Sequence, residues 1–141
     1  MRFFLYGTLI DASDTRMARW LAPRLGECVR GSVPGRLVAI PCPSGWFPAL
    51  VGGRGGERAV GMICRADFAP GDLARLDRYE GAEYRRATVR ARADDGRLLT
   101  VQLYRWRATL PRGAEPIRGG DFLAWIAETG RQPFSAPRNG H

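Results

Sequence analysis

The chain's 141 residues fit one domain, and a domain of that size buries roughly two-thirds of its unfolded surface without help from metals or staples. Hydrophobic residues at 45% and charged residues at 26% exclude a disordered or fibrous class, and no apolar run approaches the ~20 residues of a membrane span. The net charge of +8 rests on 22 basic residues, all arginine, scattered from Arg2 to Arg118 rather than gathered in a stripe with interleaved aromatics, so a specific nucleic-acid partner is not expected.

Phe3-Phe4-Leu5-Tyr6 reads as a short buried strand that breaks into a turn at Gly7. Asp14 can cap a helix through Met17, Ala18, Trp20 and Leu21, limited by Pro23. Val29 to Ile40 follows as a strand interrupted by Pro34-Gly35, and Pro41 to Gly45 is a loop by composition. Phe47 to Val51 is short and apolar. The glycine run from Gly52 to Gly56 lacks the Gly-Lys-Ser/Thr ending of a phosphate loop, so it reads as a solvated connection to the strand Ala59 to Cys64.

Leu73 and Leu76, three apart after Asp72, predict a short amphipathic helix ended by Gly81. Ala87, Val89 and Ala91 alternate with polar residues, and Asp94-Asp95-Gly96 leads into Leu98 to Trp106, a hairpin signal. A last helix, Asp121 to Thr129, stops at Gly130. Residues 1–131 form one domain on this reading, and residues 132–141 a frayed tail. About six strands and three short helices, without regular alternation, give an α+β fold with a strongly curved mixed sheet or small barrel.

Chemistry is sparse. The one histidine is His141, so a Ser-His-Asp or Cys-His relay is implausible and proton transfer must rest on Asp, Glu, Tyr or Cys. Cys28, Cys42 and Cys64 are odd in number and lack ligand spacing, so neither a zinc site nor a disulfide framework is expected. Phe3-Phe4-Leu5 is too short for a signal-peptide core, and a cytoplasmic address is expected. Glu80 sits between an aromatic and a glycine at a helix end, where partial burial would raise its pKa toward working pH; a solvated helix-end glutamate is the alternative. Tyr6-Gly7-Thr8-Leu9 turns on a glycine, so its backbone N–H groups can converge on an anion, or it is simply a strand-end turn.

Together these segments resemble the signatures of the γ-glutamylcyclotransferase superfamily, including its AIG2-like, small bacterial and γ-glutamylamine-acting branches. The N-terminal Tyr-Gly-Thr-Leu turn is matched by Tyr6 to Leu9. Gly35-Arg36-Leu37 and Phe47-Pro48-Ala49 are similar to a Gly-x-Leu strand and an aromatic-Pro-Ala segment, and Arg58 to Gly61 to a Val-x-Gly strand. The most specific match is Leu76-Asp77-Arg78-Tyr79-Glu80-Gly81-Ala82-Glu83-Tyr84-Arg85-Arg86 to the Leu-Asp-x-Tyr-Glu-Gly-x-x-Tyr-x-Arg box. Tyr104 and the Ile117 to Asp121 opening of the last helix are also similar. The chain departs from the pattern at Met62, where relatives commonly carry Glu.

The resemblance implies a γ-glutamylcyclotransferase-like barrel and a cofactor-free, metal-free lyase or acyltransferase. Such an enzyme releases an amine or amino acid from a γ-glutamyl substrate while closing the glutamyl part into 5-oxoproline. It implies Glu80 as general acid/base and Tyr6, Gly7, Thr8, Leu9, Tyr84 and Tyr104 as substrate-binding residues, in a monomer or homodimer with a small-molecule γ-glutamyl substrate as its partner. A non-catalytic metabolite-binding or interaction protein of the same fold is the alternative.

Overall fold

The computed structural model describes residues 1–7, 16–53 and 55–133. In chain order the elements are β1 (Arg2–Leu5), α1 (Arg16–Leu21) with a 3-10 turn (Ala22–Arg24), β2 (Leu25–Pro34), β3 (Arg36–Cys42), β4 (Gly45–Val51) and β5 (Arg58–Ala66). Then come α2 (Asp72–Glu80), β6 (Tyr84–Ala93), β7 (Leu98–Trp106), β8 (Glu115–Pro116) and α3 (Phe122–Thr129). Strands β1, β5, β2, β6 and β7 close a barrel in that order, and β4, β3 and β8 form a second sheet. The barrel is mixed because β1 runs antiparallel to β5 but closes in parallel on β7, with Phe3 opposite Gln102.

The expected fold class is the observed one, with eight strands among the described residues instead of about six. Val29 to Ile40, read as one interrupted strand, is two strands in different sheets. The chain leaves β2 at Pro34 and turns at Gly35, whose φ of 141° lies in the region that favours glycine. The remaining strand, Glu115–Pro116, is two residues long and carries no periodicity to read. The loop read over Pro41 to Gly45 is in fact shorter, because β3 and β4 pair as far as Cys42 opposite Gly45.

Side-chain alternation sorts the core into two layers. Phe4 and Tyr6 join Val33, Ile63, Val101 and Leu103 in one cluster, whereas Phe3 and Leu5 join Leu21, Leu76, Tyr84, Tyr104 and Trp106 in the other. That division explains the unbroken apolar run at the N-terminus: β1 is covered on both faces. The helices carry the predicted stops. Gly81 (φ 86°) follows α2, and α3 is capped by Asp121, which accepts from the Ala124 N–H at 3.1 Å, and ended by Gly130 (φ 70°).

Two expectations need correction. Cys28 and Cys64 form a disulfide, since they are register partners on β2 and β5. Their separation of 36 residues hides this from spacing rules, which see sequence distance and not strand pairing. The first two residues read as part of a frayed tail are paired: the Gln132 carbonyl accepts from the Trp46 N–H at 2.9 Å, and Pro133 bridges to Trp46.

Candidate active site

The site is built where the end of β1, the end of α2 and the end of β7 meet. Leu76 and Tyr79 of α2 are buried, which anchors the helix by one face. Asp77 and Glu80, three apart, then lie together on a neighbouring face. Asp77 Oδ1 accepts from the Tyr104 hydroxyl at 2.5 Å and from Arg86 Nε at 3.1 Å. Arg86 in turn donates to Gln102 Oε1 at 3.2 Å. Glu80 is half-buried at the last position of α2, just before the chain swings away at Gly81.

Tyr104 is buried, with 5% of its surface exposed, and its ring stacks on Phe3. Burial pushes its phenol pKa well above the usual tyrosine range; the hydrogen bond to Asp77, the Asp77 charge and the Glu80 charge push in the same direction. The group is therefore a neutral hydrogen-bond donor at any ordinary pH. Its backbone carbonyl has a second task, accepting from the Tyr6 hydroxyl. Tyr104 thus ties the end of β1 to Asp77 of α2 through its two ends.

Tyr84 opens β6 and is buried edge-on against Trp106, with ring centroids 5.1 Å apart at 87°. Its hydroxyl donates to the Pro48 carbonyl at 2.7 Å. Pro48 also lies against Gly7, where an added Cβ would come within 2.9 Å of Pro48 Cγ. Gly7 is thus required for packing as well as for any approach of its backbone to a ligand. Of the substrate-binding residues predicted from sequence, Tyr6, Gly7, Tyr84 and Tyr104 are brought into this one region with Glu80; Thr8 and Leu9 lie outside the described residues, as does Asp14.

Sequence reasoning missed Asp77 and Pro48. The signal for Asp77 was present, because it sits three residues before Glu80 within one helical box. Pro48 acts through its carbonyl and ring, which no motif spells out. Met62, where the chain departs from the pattern the resemblance implies, is half-buried on β5 opposite Leu5. It lines a cavity of about 240 Å³ with Tyr6 and Phe122, edged by the ion pair of Arg30 and Asp121 at 3.4 Å. Among the described residues no three His, Cys, Asp or Glu side chains lie close enough to hold a metal ion, and no helix is long and apolar enough to cross a membrane.

Residues 3–124 match the profile of the family described as gamma-glutamyl cyclotransferase, AIG2-like. Among curated proteins none matches the sequence. Solved structures share the fold at low identity. An Arabidopsis thaliana protein known from its solution structure is 22% identical at a TM-score of 0.62, over 92% of this chain and 82% of that one. A structure described as gamma-glutamyl cyclotransferase is 14% identical at a TM-score of 0.61, over 94% and 88% of the two chains. YkqA from Bacillus subtilis is 18% identical at a TM-score of 0.65, over 92% of this chain and 42% of its own.

Proposed function

The chain belongs to the gamma-glutamyl cyclotransferase, AIG2-like family, and from that premise we propose that it releases an amine or amino acid from a γ-glutamyl substrate as 5-oxoproline forms. In this reading the substrate's α-amine attacks its own γ-carbonyl carbon, a new C–N bond closes the five-membered ring, and the bond to the leaving amine breaks. Glu80 takes a proton from the α-ammonium and returns it to the departing nitrogen, a transfer of the kind worth ~10²–10⁴-fold. No electrons change hands, and the reaction needs no co-reactant.

The observation that carries the proposal is the double engagement of Tyr104. Its carbonyl holds the Tyr6 hydroxyl next to Gly7, and its phenol sits on Asp77 within the field of Glu80. The strand-end turn at Gly7, the anion site in this reading, and α2, the helix that carries Glu80, are thus joined through one buried residue, which supports an intramolecular acyl transfer. In this scheme the turn holds the glutamyl carboxylate and the developing oxyanion, and Glu80 moves the proton. Tyr6 and Tyr84 spend their hydroxyls on the carbonyls of Tyr104 and Pro48, so in this scheme they shape the walls. Tyr104 in turn keeps α2 in place through Asp77.

The experiment is a panel of γ-glutamyl amines and γ-glutamyl dipeptides assayed for both products. The proposal expects 5-oxoproline and free amine in equal amounts from at least one class. A folded protein that binds a panel member and releases neither product contradicts it and favours the binding-protein alternative.

A further inference from the structure

Sharing no residue with the site above, an open groove of about 560 Å³ runs between the start of β3, the start of β5 and the segment joining β8 to α3. Among the described residues its charged lining is three guanidiniums, Arg36, Arg58 and Arg118, against one carboxylate, Glu57. Arg36 takes that carboxylate in a two-pronged pair, Nε to Oε2 at 3.0 Å and Nη2 to Oε1 at 3.3 Å. Glu57 is thereby paired with Arg36.

Arg58 is held without being neutralised. Its Nε donates to Ser32 Oγ at 2.7 Å and its Nη2 to the Ser32 carbonyl at 3.0 Å, contacts that fix the guanidinium but do not cancel its charge. Ser32 has Val60 of β5 and Arg92 of β6 as its register partners, so Arg58 and Arg92 flank one serine on the same face of the barrel. Burial, and after it the charge of Arg92, lower the Arg58 pKa from its ordinary value. Among the described residues no carboxylate pairs with Arg58, Arg92 or Arg118. A half-buried cation fixed beside a second cation is a costly arrangement that a bound anion would relieve.

The rest of the wall suits a ligand. Gly119 and Gly120 take φ of 85° and 69°, and the second lies so close to β5 that a Cβ there would fall 2.0 Å from the Arg58 carbonyl oxygen. A Cβ on Gly119 would meet nothing within 4 Å, so this wall is bare backbone beside open space. Among the described residues no aromatic side chain lines the groove, so these residues offer no stacking platform of the kind single-stranded nucleic acid uses. Its volume falls in the range of small-molecule pockets, roughly 300–1,000 Å³.

We propose that this groove binds a small multivalent anion carrying phosphate or carboxylate groups, gripped by Arg58 and Arg118 with Arg36 at its edge. Guanidinium forks match both groups by paired hydrogen bonds. The proposal stands independently of the cyclotransferase reading.

Isothermal titration of the full chain with pyrophosphate and with citrate, at constant ionic strength, tests it. Saturable one-site binding of either is expected, and the tighter of the two identifies the preferred anionic group. A charge-assisted contact is worth at least ~1.5 kcal/mol, so R118S and R58Q should each weaken binding about tenfold. E57Q, which removes the competing carboxylate, should tighten it. R58Q also gives up contacts that tether β5 to β2; R118S alters an exposed residue with no hydrogen bond among the described residues, and decides the matter if R58Q does not fold. Absence of saturable binding, or affinity unchanged in R118S, overturns the proposal. So does a single-stranded oligonucleotide that binds more tightly than both anions and loses affinity in R118S.

Discussion

Replacing Tyr104 by Phe removes one oxygen and leaves the ring on Phe3 in place, so it isolates the hydroxyl's bond to Asp77. A hydrogen bond to a charged acceptor contributes about 1.5–3 kcal/mol. The Asp77 side chain is 39% exposed and keeps Arg86 at 3.1 Å, so water can reach the vacated position and the value belongs at the low end, about 1.5 kcal/mol. For a domain between the sizes of those usually surveyed, that is a fall in Tm of roughly 5 °C. The clean assay is a double-mutant cycle of Y104F, D77N and the pair, by urea denaturation. The two sites touch, so a coupling energy near ~1 kcal/mol is expected. Effects that add to within about 0.3 kcal/mol would mean that the phenol and Asp77 do not stabilise each other, and the tie between β7 and α2 would be wrong.

The raised pKa of Tyr104 also gives a pH signature. An unfolded tyrosine ionises near 10 and the folded phenol resists it, so its contribution is fully present below about pH 10 and is lost as pH rises beyond. Stability of the wild type should fall more steeply above that pH than that of Y104F; parallel curves would refute the assignment. Gly120→Ala would force a side chain at φ 69° into the Arg58 carbonyl, 2.0 Å away, and should cost more than ~2 kcal/mol, read as a Tm at least several degrees lower. An unchanged Tm would place that turn elsewhere. Cys28→Ser opens a cross-link spanning 36 residues, for which loop entropy sets a loss of up to about 4 kcal/mol. A Tm that matches the wild type under oxidising conditions, and does not respond to reductant in either protein, would mean that the bond does not form.

How far the sequence was legible depended on the range of the interaction involved. Asp121, Gly130, Gly81 and the Asp94-Asp95-Gly96 turn act on their own neighbours, and each was read with its helix end or hairpin. Glu80 stood out because its helix, aromatic neighbour and glycine are all local. The pairing of Cys28 with Cys64, by contrast, is a matter of strand register across the barrel. The split of Val29 to Ile40 between two sheets is likewise a decision of tertiary packing at Gly35, which periodicity cannot register. Tyr104 was legible as an aromatic at a strand end, but its double engagement was not. Its partners Tyr6 and Asp77 lie 98 and 27 residues away, and the bonds exist only once the barrel closes.

Glu80→Gln tests the central claim most directly. The amide keeps the size of the carboxylate and much of its hydrogen bonding but cannot accept the proton of the α-ammonium. 5-Oxoproline release is therefore measured for wild type and variant on the best substrate of the panel, alongside substrate affinity by titration. The account predicts turnover lower by at least ~10² with affinity close to wild type. Near-normal turnover in the variant would contradict it and remove Glu80 from the chemistry.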